Sequence, residues 1–249
     1  MNNVPLQDLH HQLEELLDSG QYAAGFALGR HILQHYPRHL ATYRLLGLAA
    51  LEAGLEEDSV DLLQRALSAD PEDGDMWAAL HEAAAHLDLH PDAEVAGAYA
   101  HDLIAPEKGV SAIARGHAAA RENAWEWAYD EYRKGYLDQP QRMDAALGLL
   151  SALFKLEQWQ SSLVVARHVL DELPYSLKAL WLALLSAKKL GRNDLPLRKW
   201  FQRTRSIDPE NTYIHRWLDT AAISSFRSSV ATIPDWDSSG SWQYNLKIE

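Results

Sequence analysis

Between Tyr43 and Pro71, the apolar and small residues Tyr43, Leu46, Gly47 and Ala50 fall on one helical face, and Gly54 follows. Ser59, Leu63, Ala66 and Leu67 then repeat the spacing before Pro71. Residues three and four apart share a face of an α-helix, so the stretch predicts a helix, a glycine turn, a second helix and a proline stop. The stop recurs. Pro37, Pro71, Pro106, Pro140, Pro174 and Pro209 follow one another at intervals of 34, 35, 34, 34 and 35 residues. Proline cannot continue a helix, so a proline held at fixed phase marks the end of each unit. A period near 34 is that of a helix-turn-helix repeat.

Other positions keep this register. Gly20 and Pro37 precede Gly54 and Pro71 by one period, and Trp77 and Leu80 follow Tyr43 and Leu46 by one, with His81 in the small-residue place and one residue inserted before Pro106. The fourth unit carries Gly116, Ala119, Trp125, Ala128, Tyr132 and Pro140, and the fifth Leu149, Leu153, Trp159, Ala166, Leu170 and Pro174. The sixth has Trp181, Leu184, Ala187 and Gly191, then Pro196 in the first turn of its second helix, where a missing N–H costs no hydrogen bond. A last helix, from Tyr213 to Phe226, is expected to cover the open face of this unit.

These residues resemble the tetratricopeptide repeat pattern, W-x2-L-G-x2-Y, then A-x3-F, then P. The resemblance implies an all-α, right-handed superhelical solenoid of about six units over residues 6–226, with a C-terminal capping helix and an extended tail at 227–249. It also implies a concave groove lined by the first helices. In the first three units, His10, Glu14, Arg44, Leu48, Leu51, Ala78 and Glu82 would face it. In the last three, Ile113, His117, Leu147, Ser151, Phe154, Trp181, Leu185 and Lys188 would do so, an apolar floor with a basic margin. Such a surface suits an acidic or apolar protein or peptide partner, and we take Leu147, Phe154, Trp181, Leu185 and Lys188, with Trp236, Trp242, Tyr244, Leu246 and Ile248 of the tail, as the partner-binding candidates. The alternative is that they pack against the last helix or the tail. The Lys/Asn clamp of chaperone-binding members is not matched, since the equivalent places hold His10, Glu14, Leu45, Asp75 and Ala79.

Beyond Phe226 the helical period gives way to a period of two. Trp242, Tyr244, Leu246 and Ile248 alternate with Gln243, Asn245 and Lys247, which predicts a short strand with one apolar face. Its backbone must pair somewhere. Either it folds back, with Trp236 and Trp242 covering apolar surface of the stack, or it adds a strand to a partner's sheet.

Charge is polarised. Residues 1–105 hold four Lys/Arg against eighteen Asp/Glu, and the remainder nineteen against seventeen, so the net −12 sits in the N-terminal half. This could orient a partner or a second copy head to tail, or simply keep a solvated acidic face. The run Lys188, Lys189, Arg192, Arg198, Lys199, Arg203 and Arg205 contains one acid, Asp194, but an isoelectric point near 5.4 argues against nucleic acid.

No phosphate-cradle, nucleophile-elbow or zinc-protease string occurs, and with zero cysteines neither thiol catalysis nor thiolate metal sites arise. His31 and His35, like His86 and His90, are four apart, yet two imidazoles fall short of the three or four ligands zinc takes. Carboxylate runs such as Glu56, Glu57 and Asp58 suit a helix N-terminus better than acid–base work. Residues 1–12 lack the basic and apolar segments of an export signal, and no apolar run approaches the ~18 residues of a membrane span. The expectation is a soluble, cytoplasmic, cofactor-free and non-enzymatic adaptor or scaffold subunit. A regulatory subunit of an enzyme complex and a self-assembling homo-oligomer are the alternatives.

Overall fold

Every one of the six phased prolines stands just beyond a helix end, and every hairpin turn has one residue of left-handed backbone. In the computed structural model, which describes residues 3–192, 194–214 and 246–247, this gives six helical hairpins. They are α1 (Leu6–Asp18) with α2 (Tyr22–His35), α3 (Leu40–Glu52) with α4 (Glu56–Leu67), and α5 (Gly74–His86) with α6 (His90–Ile104). Then come α7 (Ala112–Arg121) with α8 (Trp125–Asp138), α9 (Met143–Lys155) with α10 (Trp159–Glu172), and α11 (Leu177–Lys189) with α12 (Leu197–Ile207). Among the described residues no helix is long and apolar enough to cross a membrane.

The left-handed residues are Gly20, Gly54, Asp88, Asn123, Glu157 and Gly191, again about one period apart. After each, the next N–H reaches back five residues, as in Gln21 to Leu16 O (2.9 Å), Leu55 to Ala50 O (2.8 Å) and Gln158 to Leu153 O (2.9 Å), which closes the helix with the six-to-one bond of a Schellman turn. Half of these turns use a residue with a side chain. A Cβ at Gly54 would meet no atom within 4 Å, so its replacement tests backbone strain alone. Gly54→Ala should cost, and Glu157→Gly gain, about 1 kcal/mol. Urea unfolding midpoints that move in the same direction for both would contradict the shared turn geometry.

First helices of consecutive units lie side by side, α1 with α3, α3 with α5, α7 with α9 and α9 with α11. Contact is thinner between α5 and α7, where the inserted residue sits and a 3-10 turn, Pro106–Lys108, intervenes. The stack also returns upon itself. The Leu177 N–H at the head of α11 donates to Ala69 O just beyond α4 (2.9 Å), and the Lys178 ammonium contacts both carboxylate oxygens of Glu72 (2.9 and 2.7 Å). The Tyr175 ring lies 4.2 Å from the guanidinium of Arg38 and 5.3 Å from that of Arg203, so the turn between units one and two shares an aromatic with unit six. One apolar core accordingly runs from Leu40 through Met76 and Leu147 to Trp181 and Ile214.

This closure explains why α9 and α11 are buried nearly all round, at nine and ten of their thirteen residues. A helix apolar on every side belongs in a core. The expected capping helix lies outside the described residues after Ile214, which with Tyr213 is buried. Trp236, Trp242, Tyr244 and Ile248 lie outside them too. Of the alternating tail, Leu246–Lys247 (β2) pairs antiparallel with Asn3–Val4 (β1), Val4 opposite Leu246 and Asn3 opposite Lys247.

Candidate interaction surface

Trp125 opens α8, and Trp159, one period later, opens α10. Lys155 and Lys189 close α9 and α11, also one period apart, and their ammonium groups stand 5.6 Å and 5.4 Å from the centroids of Trp125 and Trp159. The result is two parallel cation-over-indole rungs. Phe154 meets Trp159 edge to face at 4.9 Å. Between the first of these rungs and the head of α11 is a cavity of about 310 Å³, lined by Ala120, Asn123, Trp125, Ser151, Phe154, Lys155, Lys178 and Leu182. Its walls are aromatic and its charges are cationic, so it can take a carboxylate beside an apolar side chain.

The structure separates the five helical candidates into two groups. Phe154 is half-buried at this cavity and Lys188 is exposed. Leu147, Trp181 and Leu185 are 0%, 3% and 6% exposed and belong to the main core, Trp181 with its ring edge-on to Phe201 at 5.9 Å. The expectation that these three face an open groove is corrected: a repeat register gives the direction a side chain points, but the closed stack fills that direction with protein. Trp125, Lys155, Lys178 and Leu182 were not among the candidates, although the Trp-to-Lys spacing of 30 residues, repeated in two successive units, is readable in the sequence.

Ile113 and His117, also expected in the groove, are buried as well. His117 belongs to a polar chain that ties units three, four and five together across the thin α5–α7 seam. The Tyr132 hydroxyl donates to His117 Nδ1 (2.9 Å), whose Nε2 faces Asp144 Oδ2 (3.4 Å). Arg142 grips Asp144 with two bonds (2.9 and 2.6 Å), reaches Asp102 Oδ2 (3.3 Å) and lies 4.0 Å over the Tyr99 ring. Asp102 also accepts from the Ser111 hydroxyl (3.0 Å), and Ser111 caps α7. Burial opposes ionisation of Asp144, yet bonds from His117 and Arg142 outweigh it and hold the carboxyl below the ordinary aspartate range. Burial, then the nearby charges of Glu72 and Asp144, push the Tyr132 hydroxyl well above the usual tyrosine value. Tyr132 is wedged between two glycines, and a Cβ at Gly116 would come within 2.6 Å of its ring. The chain is fully enclosed and packs the seam.

The basic run near the C-terminus is divided among local contacts. Arg192 forms a two-bond pair with Asp194 (2.6 and 2.6 Å), whose carboxyl that hydrogen bond pulls down to about 2. Arg203 donates to Pro174 O (3.1 Å), while Arg198 and Lys199 are exposed. His31 and His35 have ring centroids 4.8 Å apart, His86 ends α5 and His90 opens α6, and among the described residues no group of three or more potential ligands converges on a metal position.

A family model of the tetratricopeptide repeat matches residues 16–84. No curated protein matches the chain. Among solved structures, MamA AMB-1 is 16% identical with a TM-score of 0.37, over 72% of this chain and 97% of MamA. The TPR domain of P58(IPK) is 13% identical at 0.41, over 92% of this chain and 67% of that domain, and pilF of Pseudomonas aeruginosa is 14% identical at 0.35, over 90% and 96%. Residues 16–84, from the end of α1 into α5, match the tetratricopeptide repeat, and helical hairpins of the same kind continue to α12.

Proposed function

We propose that this chain is a non-enzymatic adaptor that holds a protein partner at the cavity between α7, α9 and α11, the partner offering an acidic residue next to an apolar one. Tetratricopeptide repeats generally mediate protein–protein interaction. The observation that carries it is the Lys155-over-Trp125 rung with Phe154 and Lys178, which puts two ammonium groups and aromatic rings at one surface cavity, the second rung touching it through the Trp159–Phe154 contact. Buried aromatic anchors flanked by charge are where binding energy concentrates. Lys188, exposed one residue before Lys189, would extend the cationic margin.

Affinity purification followed by mass spectrometry, with wild type and the double variant Phe154→Ala/Lys155→Glu, tests it. The variant should lose the partner that wild type retains, with affinity down roughly 30-fold or more, the range of an interface hot spot. Equal recovery of the same partner by both would sink the assignment of this cavity.

A further inference from the structure

Lys178 has two allegiances. It lines the cavity, yet its ammonium is already held by Glu72, a residue 106 positions away on the turn between units two and three. Both side chains are largely enclosed, at 12% and 14% exposure. An ammonium in such a place needs a carboxylate, because a lone buried charge is strongly disfavoured. A partner's acid that reaches Lys178 meets Glu72 already on the ammonium and competes with it. Next to the ion pair, Leu177 has its N–H on Ala69 O at 2.9 Å, and as the first residue of α11 this amide has no partner within its own helix. The acidic N-terminal half thus reaches the cationic C-terminal cavity through one carboxylate and one carbonyl.

We propose that Glu72 is the internal occupant of the cation position in this cavity, and that a partner carrying a carboxylate beside an aromatic ring displaces it, so that binding and release of the unit two–three turn from α11 are one event. The inference rests on the cavity being the binding site. Exchange of one carboxylate for another keeps Lys178 paired throughout, which a simple opening would not. A ligand that binds only the released state gives up part of its affinity to the closure, and removal of the closing carboxylate returns it. By the same linkage, saturating ligand must loosen the Leu177–Ala69 bond.

The test uses the full chain and an acetylated, amidated hexapeptide of alternating Asp and Phe, with binding read by fluorescence and closure by hydrogen exchange at the Leu177 amide. Glu72→Gln is expected to bind the peptide roughly tenfold more tightly than wild type. It should also exchange Leu177 faster without peptide, and wild type should show the same acceleration when saturated. Lys178→Met should lose the peptide while circular dichroism shows it folded. Equal peptide affinity in wild type and Glu72→Gln, or saturated wild type with Leu177 still protected, overturns the inference. If Phe154→Ala weakens binding in that case, the cavity stands as the site and only the role of Glu72 falls. If Phe154→Ala binds as wild type does, or no form binds, the cavity assignment falls and this inference with it.

Discussion

Arg142→Met should destabilise the protein by about 3–5 kcal/mol, the range for removing one partner of a buried ion pair. Arg142 is the only described cation in contact with both Asp102 and Asp144, and all three are under 10% exposed. Methionine keeps much of the length and some of the packing over Tyr99, which itself stacks on Trp77 at 4.1 Å, but it leaves two enclosed carboxylates without their cation. The loss would fall on the junction of units three and four, where direct contact of first helices is thin and the polar chain, anchored on unit five, spans the gap. Urea unfolding followed by tryptophan fluorescence measures it. Adding Asp144→Leu to Arg142→Met should recover part of the loss, since an apolar replacement removes one stranded charge. A single-variant loss under about 1 kcal/mol would mean that the chain of bonds is not a structural tie.

Acid should weaken the same molecule at the opposite end of the stack. His39 is 3% exposed, its Nδ1 lies 2.8 Å from the Thr42 hydroxyl, and its ring meets that of His10 at 5.6 Å. Burial, aided by the His10 charge, pulls its pKa from 6.5 down to about 3, and burial lowers His10 as well. The folded state therefore prefers the neutral ring. This contribution to stability is fully present above pH 6.5 and falls away as the pH drops from 6.5 towards 3. At about 1.4 kcal/mol for each pH unit, the loss is about 2 kcal/mol by pH 5 and on the order of 5 kcal/mol across the whole window. Thermal melts at pH 7 and pH 5 should show it, and His39→Gln should flatten the difference. An undiminished difference in that variant would assign the acid sensitivity to other groups.

The local plan was legible because it depends on backbone chemistry at fixed phase. Proline stops set six helix ends, and Gly20, Gly54 and Gly191 set three of the turns; Asp88, Asn123 and Glu157 keep the same left-handed backbone without the glycine that advertises it. The closure was harder to read, because it depends on superhelical curvature, which no single unit encodes. One sign of it is nevertheless present. From Ala145 to Leu153 every residue but Ser151 is apolar or glycine, and from Ala179 to Ala187 only Ser186 is polar, so neither helix has a polar face to turn towards an open groove. The seam network left no local mark, since Asp102, His117, Tyr132 and Arg142 are spread over forty residues and meet only after three units are stacked.

An open solenoid can gain or lose a unit at little cost, because each unit meets only its neighbours. A stack whose turn after α4 is hydrogen-bonded to the head of α11 has lost that freedom. An added or deleted hairpin between them would carry Glu72 past Lys178, so the number of repeats is as fixed in this protein as the identity of a core residue.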